Sequence, residues 1–177
     1  MTENRTLHIE RVYQAPAEAV FDTWTNQEVI LHWWHVGKEW KTASAEVDLR
    51  VGGDLRVVMY DPDKDREIGG GGRYTEIERP TRLAFTWIWD NDTRGTLIEI
   101  DFAENDGATT VSFKHSGLWD EQAVSDHQSG WDQVFDNLSE ISRLLAKNSK
   151  GTLAHNEIGP RDWTGADSHH LFEAARL

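Results

Sequence analysis

Three stretches decide the fold of this chain: Asp48-Leu-Arg-Val-Gly-Gly53, Gly72-Arg-Tyr-Thr-Glu-Ile-Glu-Arg-Pro-Thr-Arg-Leu-Ala-Phe-Thr-Trp87 and His127-Gln-Ser-Gly-Trp131. The first two alternate apolar and polar residues beside glycines, which is typical of antiparallel strands joined by tight turns. The third lies within the last long segment, where apolar residues recur at helical spacing. Together they predict a curved antiparallel sheet wrapped around a C-terminal helix, with an apolar chamber between the two.

The composition is that of one globular domain with a strong negative charge. The 177 residues include 31 acidic and 18 basic ones, for a net charge of -13, and no cysteine. A chain this acidic repels phosphate backbones and anionic lipid, so we expect neither nucleic acid nor a membrane as a partner. The lack of cysteine excludes disulfides and thiol catalysis. Because the sequence shows no apolar leader and no run of ~18 apolar residues, we expect a cytoplasmic protein.

The N-terminal part of the sequence predicts a strand followed by two short helices. Residues 7–13 alternate in the manner of a strand. Pro16 stands near the first position of a helix, where its missing N–H does no harm. Asn26 is a suitable cap for a second helix, whose apolar face would carry Trp33 and Trp34.

Residues 43–117 predict a run of six strands. The alternation at 47–51 indicates a strand that ends in a tight hairpin at Gly52-Gly53. The glycine run at 69–72 precedes another strand and lacks the Lys-Ser/Thr of a phosphate-binding loop. This context favours a bulge or a curved sheet edge over a phosphate site.

Residues 120–145 predict one long helix, and about 25 residues span roughly 38 Å, enough to cross the whole sheet. Because the strands are segregated from the helices, the fold class is α+β. We predict a single ligand-binding domain over residues 1–150. Residues 151–177 are predicted to form an extension that packs on this domain or on a partner subunit of a homodimer, with Trp163 and Phe172 buried.

The quoted stretches, in this order and over about residues 6 to 146, resemble the activator of heat-shock protein 90 ATPase homologue-like family. That family belongs to the START-like, helix-grip superfamily, also called the polyketide cyclase/lipid-transport superfamily. The resemblance implies a helix-grip fold that binds lipids, sterols, polyketides or other hydrophobic molecules between the sheet and the long helix. It also implies two alternatives, namely a cyclase, dehydratase or hydrolase acting on such a ligand, and a co-chaperone-like interaction module.

The residues that we predict to line the chamber are mostly aromatic, because rigid rings with few polar groups are typical of small-molecule sites. The predicted ligand-binding residues are Trp33, Met59, Tyr74, Phe85, Trp87, Trp89, Phe113, His115, Trp131 and Phe135. The expected ligand is a hydrophobic or aromatic small molecule, either lipid, sterol, polyketide or flavonoid-like.

His115 is the one candidate for a catalytic group. It continues the face of Phe113 toward the interior, where an imidazole would either orient a ligand or act as a general base. The competing interpretation is a buried histidine that bonds a backbone carbonyl. Both remain open from the sequence, which leaves the question of enzymatic activity open as well.

No cofactor or metal is expected from the sequence. Glu28, His32 and His35 are spaced for one helix face, but no His-Glu-x-x-His pattern accompanies them, so a solvated helix face is the preferred interpretation. A Gly-x-Ser-x-Gly nucleophile elbow is also missing from the sequence.

Overall fold

The computed structural model describes residues 4–151 and has the predicted α+β helix-grip architecture. The elements in chain order are β1 (Arg5–Tyr13), α1 (Ala17–Thr25), α2 (Gln27–Ile30), β2 (Lys41–Val47), β3 (Asp54–Asp61), β4 (Arg66–Glu78), β5 (Arg82–Trp89), β6 (Thr96–Asn105), β7 (Ala108–Leu118) and α3 (Glu121–Gly151).

All seven strands form one antiparallel sheet in the order β1-β7-β6-β5-β4-β3-β2. Six strands follow one another as a meander, and β1 is added beside β7, the last of them. The inward side chains of these strands form one continuous apolar core with α1 and α3. An ion pair between Arg11 of β1 and Asp132 of α3, with a distance of 2.9 Å between Nη2 and Oδ1, fastens the long helix to the edge of the sheet.

The two short helices begin as the sequence predicts. Asn26 caps α2, because its side-chain oxygen accepts hydrogen bonds from the backbone N–H groups of Glu28 and Val29. The placement of Trp33 and Trp34 differs from the prediction. Both follow the end of α2 at Ile30, in a tight turn rather than on a helix face.

The segment 48–53 forms a turn, so the strand predicted at 47–51 is wrong in position. Strand β2 lies earlier and ends at Val47. The backbone N–H of Gly53 donates to the carbonyl of Arg50 at 2.8 Å, which turns the chain back toward β3. Val51 therefore points into solvent with 64% of its surface exposed. The alternation of residue types at 47–51 therefore belongs mostly to a turn, in which the apolar side chains of Leu49 and Val51 lie outside the core.

The glycine run lies within β4 and is paired on both sides, with β3 and β5. A Cβ on Gly70 would lie 2.6 Å from the indole of Trp87, so only glycine lets this ring approach the strand so closely. The irregularity of the β4–β5 ladder falls further on, between Tyr74 and Glu76. The predicted strand is confirmed, and the bulge lies between Tyr74 and Glu76 rather than at the glycines.

Helix α3 is longer than predicted and ends at Gly151 instead of residue 145. Across residues 4–151, no helix is both long and apolar enough to span a membrane. The predicted packing of the C-terminal extension, with Trp163 and Phe172 buried, lies outside the described residues.

Candidate functional site

A cavity of about 600 Å³ lies between the inner face of the sheet and α3, and it is partly open to solvent. Its wall combines the turn after α2, strands β3, β4, β5 and β7, and the first half of α3. The lining residues are Trp34, Val36, Trp40, Met59, Arg66, Ile68, Trp87, Trp89, His115, Asp126, His127, Gly130, Trp131 and Val134.

The structure brings half of the predicted site residues to this wall. Met59 projects from β3, Trp87 and Trp89 from β5, His115 from β7, and Trp131 from α3. These elements are far apart in sequence, yet the inward face of the meander and the apolar face of the helix make them converge.

The other five predicted residues, Trp33, Tyr74, Phe85, Phe113 and Phe135, do not line the cavity but lie in the core around it. Each is at most 1% exposed. Their rings contact other side chains, as in the edge-to-face pair of Tyr74 and Phe85, whose centroids are 5.9 Å apart. Phe113 is covered by Trp131, with a centroid distance of 4.6 Å. These five side chains support the wall from behind.

Several lining residues were missed by the sequence reasoning. Trp34 lies beside Trp33, and its inward position follows from the turn after α2, which alternation of residue types does not reveal. His127 and Gly130 stand in one of the three stretches that decide the fold, one helical turn apart on α3. Their position in an amphipathic helix next to Trp131 is the signal that would have found them.

His115 is buried and held by hydrogen bonds at both ring nitrogens. The indole N–H of Trp131 donates to Nδ1 of His115 at 3.1 Å. Nδ1 is thus an acceptor, so the neutral ring carries its proton on Nε2 and donates to the hydroxyl oxygen of Thr96 at 2.8 Å. That hydroxyl donates in turn to the carbonyl of Trp87 at 3.0 Å. The chain of three hydrogen bonds connects α3 with β7, β6 and β5 behind the cavity.

Burial, together with a smaller electrostatic contribution from the neighbouring His127, lowers the pKa of His115 to about 3. The imidazole is therefore neutral at physiological pH. Its one lone pair on nitrogen already accepts the N–H of Trp131. The geometry consequently gives His115 a positioning role rather than the free lone pair that a general base needs.

His127 is a second histidine of the wall whose two ring nitrogens both have hydrogen-bond partners. Its Nδ1–H donates to the carbonyl of Ala123, one turn earlier in α3, at 2.7 Å. Its Nε2 faces the indole N–H of Trp89 at 3.4 Å. The rings of His115 and His127 meet edge to face with centroids 5.1 Å apart. His127 and His115 thus accept hydrogen bonds from the indole N–H groups of Trp89 and Trp131.

Apart from the two histidines, the ionisable groups of the wall are Arg66 and Asp126. Arg66 pairs with the buried carboxylate of Asp61 at 3.2 Å. Asp126 is exposed and accepts a hydrogen bond from the amide of Gln122 at 2.8 Å. Within the described part of the chain, no group of three potential metal ligands converges.

The opposite face of the sheet is charged. Arg82 donates to Glu76 at 2.8 Å, to Glu99 at 2.9 Å and to Asp101 at 3.0 Å. Lys114 also pairs with Glu99, at 2.6 Å. This network of partly exposed ion pairs covers the outside of β4, β5, β6 and β7, on the side of the sheet opposite the apolar cavity.

The comparison with protein families agrees with this architecture. The model of the family described as activator of Hsp90 ATPase homolog 1-like protein matches residues 14–143. The chain belongs to this family. The matched region starts after β1 and ends within α3, so it contains every residue that lines the cavity. A search among proteins of curated function finds no match.

Solved structures share the fold at low sequence identity. Protein CV1439 from Chromobacterium violaceum is 23% identical, with a TM-score of 0.70 over 77% of this chain and 96% of that one. The AHSA1-like protein from Aeromonas hydrophila is 26% identical, with a TM-score of 0.68 over 88% of this chain and 100% of that one. PFC0360w, an HSP90 activator from Plasmodium falciparum, is 19% identical, with a TM-score of 0.61 over 77% of this chain and 94% of that one. This chain therefore shares the START-like helix-grip fold with these members of the family.

Proposed function

We propose that this family member binds a hydrophobic or aromatic small molecule in the cavity between sheet and α3. The observation that carries the proposal is the wall itself, where five tryptophans, Trp34, Trp40, Trp87, Trp89 and Trp131, surround one space of about 600 Å³. This volume lies within the range of small-molecule pockets, and such pockets are predominantly apolar with a few polar groups.

The packing of the rings keeps the wall rigid. The indoles of Trp34 and Trp87 stack with centroids 5.5 Å apart and an angle of 22° between their planes. Trp87 and Trp89 meet edge to face at 5.4 Å. Rings held in this way lose little conformational freedom when a ligand arrives, so more of the burial energy appears as affinity.

The two alternative functions receive less support. Catalysis by His115 would require the ring to break its hydrogen bond with Trp131 or with Thr96. A protein-interaction module would need a contiguous apolar patch of several hundred Å². Among the residues whose exposure the structure describes, the larger exposed apolar side chains are Val12 on β1, Leu49 and Val51 in the turn at 48–53, and Ile88 on β5.

Two variants of one residue test the location of the ligand. Gly130 lies on α3 with space in front of it, since a Cβ at this position would have the Cγ1 of Val36 as its nearest neighbour, at 3.7 Å. Gly130→Ala adds a methyl group that fits, whereas Gly130→Leu extends toward the cavity. Alanine and leucine have similar helix propensities, so the two variants should be equally folded and differ in cavity volume.

The measurement is tryptophan emission during titration with flavone, cholesterol, palmitate and 2-acetylnaphthalene. We expect saturable quenching by at least one compound, with an affinity at least about tenfold weaker in Gly130→Leu than in Gly130→Ala. Equal affinities in the two variants would place the ligand elsewhere. If no compound quenches saturably and calorimetry detects no heat of binding, the proposal is wrong.

A further inference from the structure

Some hydrogen-bonding groups of the wall have partners in the protein, and others have none in the described part of the chain. His115 and His127 have both ring nitrogens engaged, and they accept the indole N–H groups of Trp131 and Trp89. Three other indole donors line the same space, those of Trp34, Trp40 and Trp87. Trp40 is partly exposed to solvent, whereas Trp34 and Trp87 are buried. Neither donates to any protein group within residues 4–151, although both rings make aromatic contacts there.

Trp34 and Trp87 are each 2% exposed and both line the cavity, which makes the cavity the route by which an outside acceptor would reach their N–H groups. Water can serve them while the cavity is empty, because the cavity is partly open to solvent. A ligand that displaces this water must supply an acceptor itself. Otherwise it leaves buried N–H groups unpaired, at a cost on the order of 1–3 kcal/mol each.

We infer that the cavity selects a neutral, planar ring system that carries hydrogen-bond acceptors such as carbonyl or ether oxygens. This inference rests on the proposed function and names its ligand class. The stacked indoles of Trp34 and Trp87 offer flat apolar contact, and their N–H groups offer donors without matching acceptors in the wall. An aliphatic chain would leave both donors unpaired.

The charges of the site disfavour an anionic ligand. The chain has a net charge of -13. Asp126 adds a carboxylate to the wall, and Arg66, the arginine of the wall, is already paired with the buried Asp61. A carboxylate or phosphate would enter the cavity without a free cation from this wall to receive it, and burying an unpaired charge is costly. A neutral ligand avoids this cost.

Three compounds with the same ring system separate these effects. They are 2-acetylnaphthalene, which is neutral with an acceptor, 2-ethylnaphthalene, which has nearly the same shape without an acceptor, and 2-naphthoate, which is anionic. Calorimetric titration should show 2-acetylnaphthalene binding about fivefold to tenfold more tightly than 2-ethylnaphthalene, as expected for one hydrogen bond. 2-Naphthoate should bind more weakly than both.

The variants Trp87→Phe and Trp34→Phe remove one donor each while keeping an aromatic ring. The acetyl-over-ethyl preference should shrink in one or both variants and persist in the control Trp119→Phe, because Trp119 does not line the cavity. If a variant proves unstable, indole N–H resonances of the unmodified protein give the same information. Among the nine tryptophans, the signals of Trp34 and Trp87 should shift with 2-acetylnaphthalene more than with 2-ethylnaphthalene.

Equal affinity for 2-acetylnaphthalene and 2-ethylnaphthalene would overturn this inference and leave the proposed function standing, since a ligand would still occupy the cavity. Tightest binding of 2-naphthoate, or of palmitate, would also overturn it, in favour of an anionic ligand. Failure of all these compounds to bind would overturn both the inference and the proposed function.

Discussion

Acidification should destabilise the fold through His115. The unfolded chain exposes an ordinary imidazole with a pKa near 6.5, whereas burial lowers the pKa of the folded residue to about 3. Between these two values the unfolded state binds more protons than the folded state. The contribution of His115 to stability is therefore complete above about pH 6.5, and it falls as the pH drops toward 3.

The magnitude follows from the distance between the pH and the unfolded pKa. At pH 5 the unfolded imidazole is about 1.5 pH units below its pKa, while the folded one is still neutral. The free energy of unfolding should then be lower by about 2 kcal/mol than at pH 7.5. This is a large part of the roughly 5–15 kcal/mol that stabilises a typical domain.

Urea unfolding at pH 7.5, 6 and 5, followed by tryptophan emission, measures this loss. The reference is His115→Gln, because a glutamine has both an acceptor for the indole of Trp131 and a donor for the hydroxyl of Thr96 without titrating. His32 also has a pKa lowered by burial, and its contribution is common to both proteins. The unmodified protein should lose about 2 kcal/mol more than the variant between pH 7.5 and pH 5.

Identical pH dependence in the two proteins would refute the reasoning. It would mean that His115 is protonated as easily in the folded state as in the unfolded one. The hydrogen bond from Trp131 to Nδ1 would then not be maintained, since a protonated Nδ1 cannot accept it.

Other substitutions test local features of the fold by thermal and urea unfolding. Gly130→Ala should raise the free energy of unfolding by about 1 kcal/mol, because alanine favours the helix and its methyl group meets only an ordinary contact at 3.7 Å; a destabilised variant would contradict this. Asn26→Ala should cost about 1 kcal/mol through loss of the α2 cap, and an unchanged stability would show that water replaces it. Gly70→Ala should cost about 1–3 kcal/mol because its Cβ would lie 2.6 Å from the Trp87 ring, whereas Gly95→Ala, with no atom within 4 Å, serves as the control. Equal effects of these two glycine substitutions would mean that the indole has room to move.

Much of the architecture could be predicted from local patterns. Alternation at 7–13 placed β1, alternation within the stretch 72–87 placed β4 and β5, and the period of the C-terminal segment placed α3. These predictions succeed because each strand or helix face must be apolar where it meets the core, whatever its partners are. The prediction of a strand at 47–51 failed because most of this alternation falls in the turn at 48–53, where Leu49 and Val51 are exposed.

The site could be predicted only in part, since alternation gives the direction of a side chain and not its depth. Phe113 and His115 share one face of β7, yet Phe113 is covered by Trp131 while His115 reaches the cavity wall. The same limit explains why Tyr74 and Phe85 lie behind the wall. Depth depends on which ring packs over which, and those contacts join residues far apart in the sequence.

The sequence by itself determined the α+β class, the order of the elements, the family and the aromatic character of the interior. Only the tertiary structure decided the chemistry of the wall. It paired His115 with Trp131 and Thr96, and it brought Trp34 and Trp87 to the cavity wall without a hydrogen-bond partner for either indole N–H in the described part of the chain. The physical reason is that a side-chain hydrogen bond depends on distances of about 3 Å. Such distances are fixed by the packing of separate elements, which no local pattern of residues encodes.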